Sequence, residues 1–378
     1  MLHISFLSLA ILCISALPLV VHAADQDCLQ ASRLVRQGAD LGDGSAQEEK
    51  LYRDAIGLCT GMAEAHHNLG LVLARRGVRD EAVQEMKQAL EIKDDPSFRI
   101  ALGNLQVEAN DIESARRNYQ KALDADAKNV KALQGLSVIA DREQNLVQGI
   151  EYLKKAQGIE PGNLITNYNL GVIYERNGDL PLAIAAYQKV SEIDNNHFEA
   201  LFYGGLAMMK AGRSDEAASN LVRAAALRPD FAEIHRALGI LYEQAGDLDK
   251  AELALKKAIL LNSADMTSRI NLGVILIKKQ QPEQAVQTLR QAVQVDSGNP
   301  RALSVLGWAE LELGEYREAQ RSLERSIELD AMNALAHNNL GVIYQRSGKV
   351  EDARKEFETA LRLSPDLEVA RKNLERLG

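Results

Sequence analysis

The sequence predicts an all-α solenoid built by repetition, and three observations carry that prediction. "NLGVIYERNGD" (Asn169–Asp179) and "NLGVIYQRSGK" (Asn339–Lys349) agree at eight of eleven positions and start five periods of 34 residues apart. Ala, Leu, Glu, Gln, Lys and Arg dominate the 378 residues while aromatics are only 4%, and those dominant types are strong helix formers. Small residues also recur at fixed phase along the chain.

Units begin at Ala63, Pro96, Val130, Leu164, Phe198, Ala232, Met266, Pro300 and Ala334. The eighth position reads Gly70, Gly103, Ser137, Gly171, Gly205, Gly239, Gly273, Gly307 and Gly341. The twentieth is Ala in every unit but one, where Gly149 stands, and the twenty-seventh is Ala, Val190 or Ser326. Each unit holds two helical segments around a break such as "NGD" (Asn177–Asp179). Gly178 and Gly348 suit the left-handed conformation that ends a helix. In the second helix of the fourth unit, Ala183, Tyr187 and Val190 share one face, since i, i+4 and i+7 align at the helical period. Small columns let the two helices approach, and Leu170, Tyr174 and Tyr187 fill the space left. Pro161, Pro229 and Pro365 mark turns between units.

This pattern resembles the tetratricopeptide repeat, a helix–turn–helix unit of about 34 residues. The resemblance covers residues 63–367 in nine consecutive units. One departure is the early Trp common in that family, replaced here by His66, Arg99, Leu133, Asn167, Leu201, His235, Arg269, Leu303 and His337; the sole Trp, Trp308, lies elsewhere. The resemblance implies a right-handed superhelix whose first helices line a concave, partner-binding face.

The ends fit the same plan. "EVARKNLERLG" (Glu368–Gly378) reads as a polar helix capping the last apolar face. Residues 24–62 read as a divergent helical pair, with Tyr52 and Ala55 in phase with Tyr187 and Val190. Before it, the run from Met1 to Ala24 carries no charged residue and closes on Val21-His22-Ala23. It reads as a signal peptide, residues 1–23, cut after Ala23 for a periplasmic or secreted destination; an uncleaved N-terminal membrane anchor is the alternative. With Cys13 removed, Cys28 and Cys59 remain. An even pair in an exported chain suggests a disulfide, and two free buried thiols are the alternative. Antiparallel helices would bring their ends of the pair together.

A signal, a cap, nine units and a final helix leave no stretch for a catalytic domain. Nor is there an HExxH, a Cys/His cluster at metal spacing, a phosphate loop or an assembled nucleophile set. No enzyme activity, cofactor or metal is expected. The net charge of −9 gives no footprint for nucleic acid, and no stable membrane insertion is expected once the signal is gone.

Binding remains, and candidate residues fall on one stripe of the first helices. At the sixth position stand Asn68, Asn169, Asn271 and Asn339; the resemblance implies that such an Asn can hold an extended peptide's backbone. At the thirteenth stand Arg75, Arg142, Arg176, Lys210, Lys278 and Arg346, a basic row in an acidic chain. It suggests either an acidic partner segment or ion pairs between adjacent units. Tyr168, Phe202 and Tyr203, with Met209, suggest an aromatic contact site, or else packing between units. The resulting expectation is a non-enzymatic scaffold in a cell-envelope assembly or export complex, its protein partner held in the groove. The alternative is a receptor or chaperone-like holder of short peptides or protein termini.

Overall fold

Most first helices start where a side chain takes over an N–H group that the helix itself cannot bond; those starting at Ala63 and Ala232, after Met62 and Phe231, have no such cap. Asn129, Asn163, Asp265, Asn299 and Asn333 each accept from the backbone N–H three residues on, a contact worth about 1 kcal/mol per helix. Each first helix ends on a left-handed residue. Six of these are glycines, from Gly77 to Gly348, but Asn110, Gln144 and Gln280 adopt the same conformation at φ 59–62°. Glycine takes that shape freely, whereas a side chain there costs about 1 kcal/mol. The turn is closed by bonds such as Val78 N–H to the Leu73 carbonyl at 2.9 Å.

The structure, a computed structural model, describes residues 16–377, which hold 21 helices and no strand. They fall into two units dividing between Asp179 and Leu180. The first runs from α1 (Ala16–Leu41) and α2 (Ala46–Leu58) through the pairs α3 (Ala63–Arg75)/α4 (Arg79–Ile92), α5 (Pro96–Glu108)/α6 (Ile112–Ala125) and α7 (Val130–Arg142)/α8 (Leu146–Ile159) to α9 (Leu164–Arg176). The second starts at α10 (Leu180–Ile193). It continues through the pairs α11 (Phe198–Lys210)/α12 (Ser214–Leu227), α13 (Ala232–Gln244)/α14 (Leu248–Leu261), α15 (Met266–Lys278)/α16 (Pro282–Val295), α17 (Pro300–Leu313)/α18 (Tyr316–Leu329) and α19 (Ala334–Arg346)/α20 (Val350–Leu363), and ends with α21 (Glu368–Glu375).

Within a pair, the eighth-position glycine receives the large residue at position twenty-four of its own second helix. A Cβ on Gly239, Gly273 or Gly307 would stand 2.6 Å from Leu255, Leu289 or Leu323, and one on Gly341 would stand 2.7 Å from Phe357. The alanines at positions twenty and twenty-seven, among them Ala82, Ala89, Ala251 and Ala258, are fully buried. The core is thus a chain of small clusters, one per helix pair and its neighbour, as expected of a quasi-one-dimensional fold.

The fourth position is structural. Asn167 Nδ2 donates to the Pro161 carbonyl at 2.9 Å, His235 Nε2 sits 2.9 Å from the Pro229 carbonyl, and His66 and His337 make the same approach to Thr60 and Ala331 at 3.3 Å. Each side chain ties its helix to the turn six residues earlier.

The N-terminal pair follows the repeat geometry, with Tyr52 against Gly38, where a Cβ would stand 2.6 Å from the ring. Cys28 and Cys59 form a disulfide with Cα atoms 5.0 Å apart. Helix α1, Ala16–Leu41 as described, passes through Ala23 and Ala24 without a break, so helix is already present before the expected pair boundary at residue 24. The start of the apolar run, with Cys13, lies outside the described residues. At the other end α21 packs on α20 and α19, burying Ala370 and Asn373.

Candidate interaction surface

In the first unit, the faces of α3, α5, α7 and α9 that do not meet second helices frame two adjoining cavities. One, of about 580 Å³, is lined by His67, Leu71, Ile100, Asn104, Lys131 and their neighbours. The other, of about 510 Å³, shares Ile100, Asn104 and Lys131 and adds Gln134, Val138, Ile165 and Asn169. These residues occupy positions two, five, six and nine of successive repeats, which lie on one stripe of each helix. Leu71, Val138 and Ile165 are exposed here, Ile165 by 60%. His67 stacks on Phe98 with centroids 4.4 Å apart, and its Nδ1 is buried without a partner. That burial pulls its pKa below the ordinary value, against the weaker upward pull of Asp95 and Glu64.

Asn169 lines the second cavity, and Asn68 is half-buried on α3. In the second unit the matching amides are bonded within the fold. Asn271 is buried and accepts from Arg301 at 2.7 Å. Asn339 accepts from Asn338 at 3.0 Å, which accepts in turn from Asn373 at 3.0 Å. An arginine can only donate, so the Asn271 oxygen must face Arg301.

The basic row reaches backward along the chain. Arg75 pairs with Glu48 at 2.8 Å, Arg142 donates to the Val107 carbonyl at 2.7 Å, and Arg176 pairs with Asp141. Lys278 pairs with Glu243 at 2.8 Å, and Arg346 donates to the Tyr316 hydroxyl at 2.7 Å. Lys210 ends α11 at the surface. Five of the six candidate cations therefore tie a repeat to the one before it.

The aromatic candidates divide. Tyr203 is exposed and Tyr168 half-buried, but Phe202 is buried rather than presented on the face. Its ring meets Phe231 of the following turn edge-on at 5.2 Å, and Phe198 does the same at 5.4 Å. Helical phase gave the side of α11 on which Phe202 stands but not the ring that covers it.

Sequence reasoning passed over Asn104, although a signal was present. The ninth position is apolar in the other eight repeats, from Leu71 to Val342, and polar only at Asn104. Among the described residues no group of three or more His, Cys, Asp or Glu is placed to hold a metal ion, and no helix is long and apolar enough to cross a membrane.

Comparison with known proteins bears on the same repeats. A tetratricopeptide-repeat family described as the cilia and flagella-associated protein 70 C-terminal domain matches residues 130–376, and the tetratricopeptide repeat itself matches residues 65–100. The chain belongs to the tetratricopeptide-repeat family. This tetratricopeptide-repeat protein is 25% identical over 167 residues to anaphase-promoting complex subunit 3 of Schizosaccharomyces pombe, covering 43% of this chain and 25% of that protein. It is 25% identical over 148 residues to the probable UDP-N-acetylglucosamine–peptide N-acetylglucosaminyltransferase SPINDLY of Hordeum vulgare, covering 37% of this chain and 16% of that protein. It thus spans a quarter or less of the curated relatives it matches. The solved APC/C hetero-tetramer Cut9–Hcn1 superposes with a TM-score of 0.50 at 16% identity, over 95% of this chain and 88% of that one, a likeness of fold alone.

Proposed function

We propose that this tetratricopeptide-repeat protein is a non-enzymatic scaffold of the cell envelope that holds a protein partner along the first-helix face of residues 63–179. The observation that carries the reading is the pair of adjoining cavities between α3 and α9, where branched side chains stand exposed beside amides. Exposed apolar groups gathered in a concavity are where binding energy concentrates. The envelope location rests on the uncharged N-terminal run and on the Cys28–Cys59 disulfide, a bond that persists in oxidising compartments.

A photo-crosslinking residue at Ile165 tests the surface, with one at Glu151 on the outer side of α8 as control. Capture from envelope extract at Ile165 and not at Glu151 is expected; capture only at Glu151 would move the working surface to the second helices. N-terminal sequencing of the purified mature protein tests the location. It should begin at Ala24, and a mature chain that keeps Met1 in the cytoplasm would end the export reading.

A further inference from the structure

The second and third repeats depart from the others around one ring. Tyr119 of α6 stands at position twenty-four, where Met86, Leu153, Leu221, Leu255, Leu289, Leu323 and Phe357 offer no hydroxyl and Tyr187 is the one other tyrosine; only Tyr119 is followed by a glycine at position six of the next repeat. Its ring lies between two glycines. A Cβ on Gly103 would come within 2.7 Å of Cε1, and one on Gly135 within 2.6 Å of the same atom. The ring is 2% exposed, yet its hydroxyl emerges on the first-helix face and donates to Asn104 Oδ1 at 2.7 Å.

Gly135 holds position six, where the neighbouring repeat carries Asn169. The Tyr119 ring fills the space an asparagine there would need, so the third repeat cannot supply an amide from that position. Asn104 supplies one from position nine of the second repeat instead. With its oxygen already bonded to Tyr119, its Nδ2 is the group left to face the cavities.

We propose that Asn104, held by Tyr119, receives a main-chain carbonyl of an extended partner segment, whose adjacent branched apolar side chain enters the cavity walled by Ile100, Val138 and Ile165. This rests on the reading of that face as the working surface and adds the chemistry of its occupant. Lys131, which has no ion pair among the described residues, lines both cavities and is a second donor beside Asn104. Two donors call for an acceptor, but Asp126, Glu160 and Glu108 also line the cavities. Three carboxylates against Lys128 and Lys131 repel an acidic segment, so the acceptor that fits is an uncharged peptide carbonyl. Tyr119 is a positioning residue: it orients the amide without touching the partner.

The probe is a set of nine-residue peptides, acetylated and amidated, with Leu, Ile, Val, Ser, Asp or Lys at the centre of a neutral host. A parallel set replaces the central amide with an ester, which weakens the carbonyl as an acceptor. The full chain should prefer the branched apolar centres, and the ester should weaken binding. Tyr119→Phe keeps the ring between its glycines and so should keep helix content, but should lose about tenfold in affinity, the worth of one oriented hydrogen bond. It should also lose the ester effect, as should Asn104→Ala. Equal binding by Tyr119→Phe and the unaltered chain, a preference for Asp, or no peptide bound at all would overturn the proposal. If Tyr119→Phe still cross-links a partner at Ile165 as the unaltered chain does, the groove reading stands and this assignment fails. If nothing cross-links at Ile165, the groove reading itself falls.

Discussion

Repeats in residues 63–179 and repeats in residues 198–367 share their packing columns but use their first-helix faces differently. In the earlier set, positions two and nine leave Ile165, Leu71 and Val138 exposed around two cavities. Gln134 of this face donates to Asn163 and Thr166, but in the later set such bonds run further along the face: Arg236 to Asp265 at 2.9 Å, Arg301 to Asn271, and Asn373 to Asn338 to Asn339. A polar group already bonded within the fold has little left to offer a ligand, and displacing its partner leaves a buried group unsatisfied. The frame that makes a repeat is thus separable from the face that makes a site. A long array can be rigid in one part and receptive in another without changing its fold.

Substitutions placed in parallel can break or sharpen this contrast. The largest effect is expected in the N-terminal pair that precedes the earlier set. Cys59→Ser opens the 31-residue interval closed by the disulfide, which should cost that pair about 3–4 kcal/mol on a chain-entropy basis. Hydrogen exchange should rise across α1 and α2 and stay unchanged from α11 onward, because repeats couple chiefly to neighbours. Protection lost evenly along the chain would show one cooperative body instead.

The next comparison sets Ile165→Asp against Leu335→Asp. Both wild-type residues hold position two and are exposed, by 60% and 53%. Each change should alter stability by only about 0.5 kcal/mol. Capture of the partner should fall at least about tenfold for Ile165→Asp and hold for Leu335→Asp, since only a residue at the contact centre carries such a share of binding. Equal losses would erase the functional distinction between the two sets.

A smaller effect of the opposite sign is expected at the turns. Gln144→Gly and Gln280→Gly remove a side chain from a left-handed position and should each stabilise by up to about 1 kcal/mol, read as a rise in thermal midpoint. The two gains should match, because the turn belongs to the frame and not to the face.

The smallest contrast is in pH. Burial lowers the pKa of His67, so its contribution is complete above the unfolded value near 6.5 and is lost as pH falls through the lower folded value. His337 is raised, chiefly by its hydrogen bond to Glu356 at 2.6 Å and against burial and Arg362. Its contribution is complete below 6.5 and is lost as pH rises through the folded value. His67→Gln should therefore flatten the acid side of a stability profile between pH 5 and 8, and His337→Gln the alkaline side. Identical profiles would remove the difference.

The frame was legible because it is written in period: glycine at eight and alanine at twenty and twenty-seven recur whatever lies between. The left-handed turns at Asn110, Gln144 and Gln280 were not, since no glycine announces them and the neighbouring helices impose the conformation. The face was half legible. Phase found the stripe, but whether Phe202 is offered or covered depends on Phe231, 29 residues away. Partners for Arg176 and Lys278 could have been read from Asp141 and Glu243, acids 35 residues earlier in each case. Asn104 was visible as an odd polar residue in an apolar column, but its tie to Tyr119 needed the fold.

The bond from position four to the turn six residues earlier has a consequence for descent. Both of its ends lie within the same stretch of chain, in every repeat that makes it. Recombination between the two "NLGVIY" copies, at Asn169 and Asn339, would delete five whole periods and leave each remaining side chain with its own carbonyl. Loss or gain of repeats by unequal exchange leaves no half-made junction behind. Length in such a chain is free to drift between generations, while any insertion that is not a multiple of the period is caught at once by the packing.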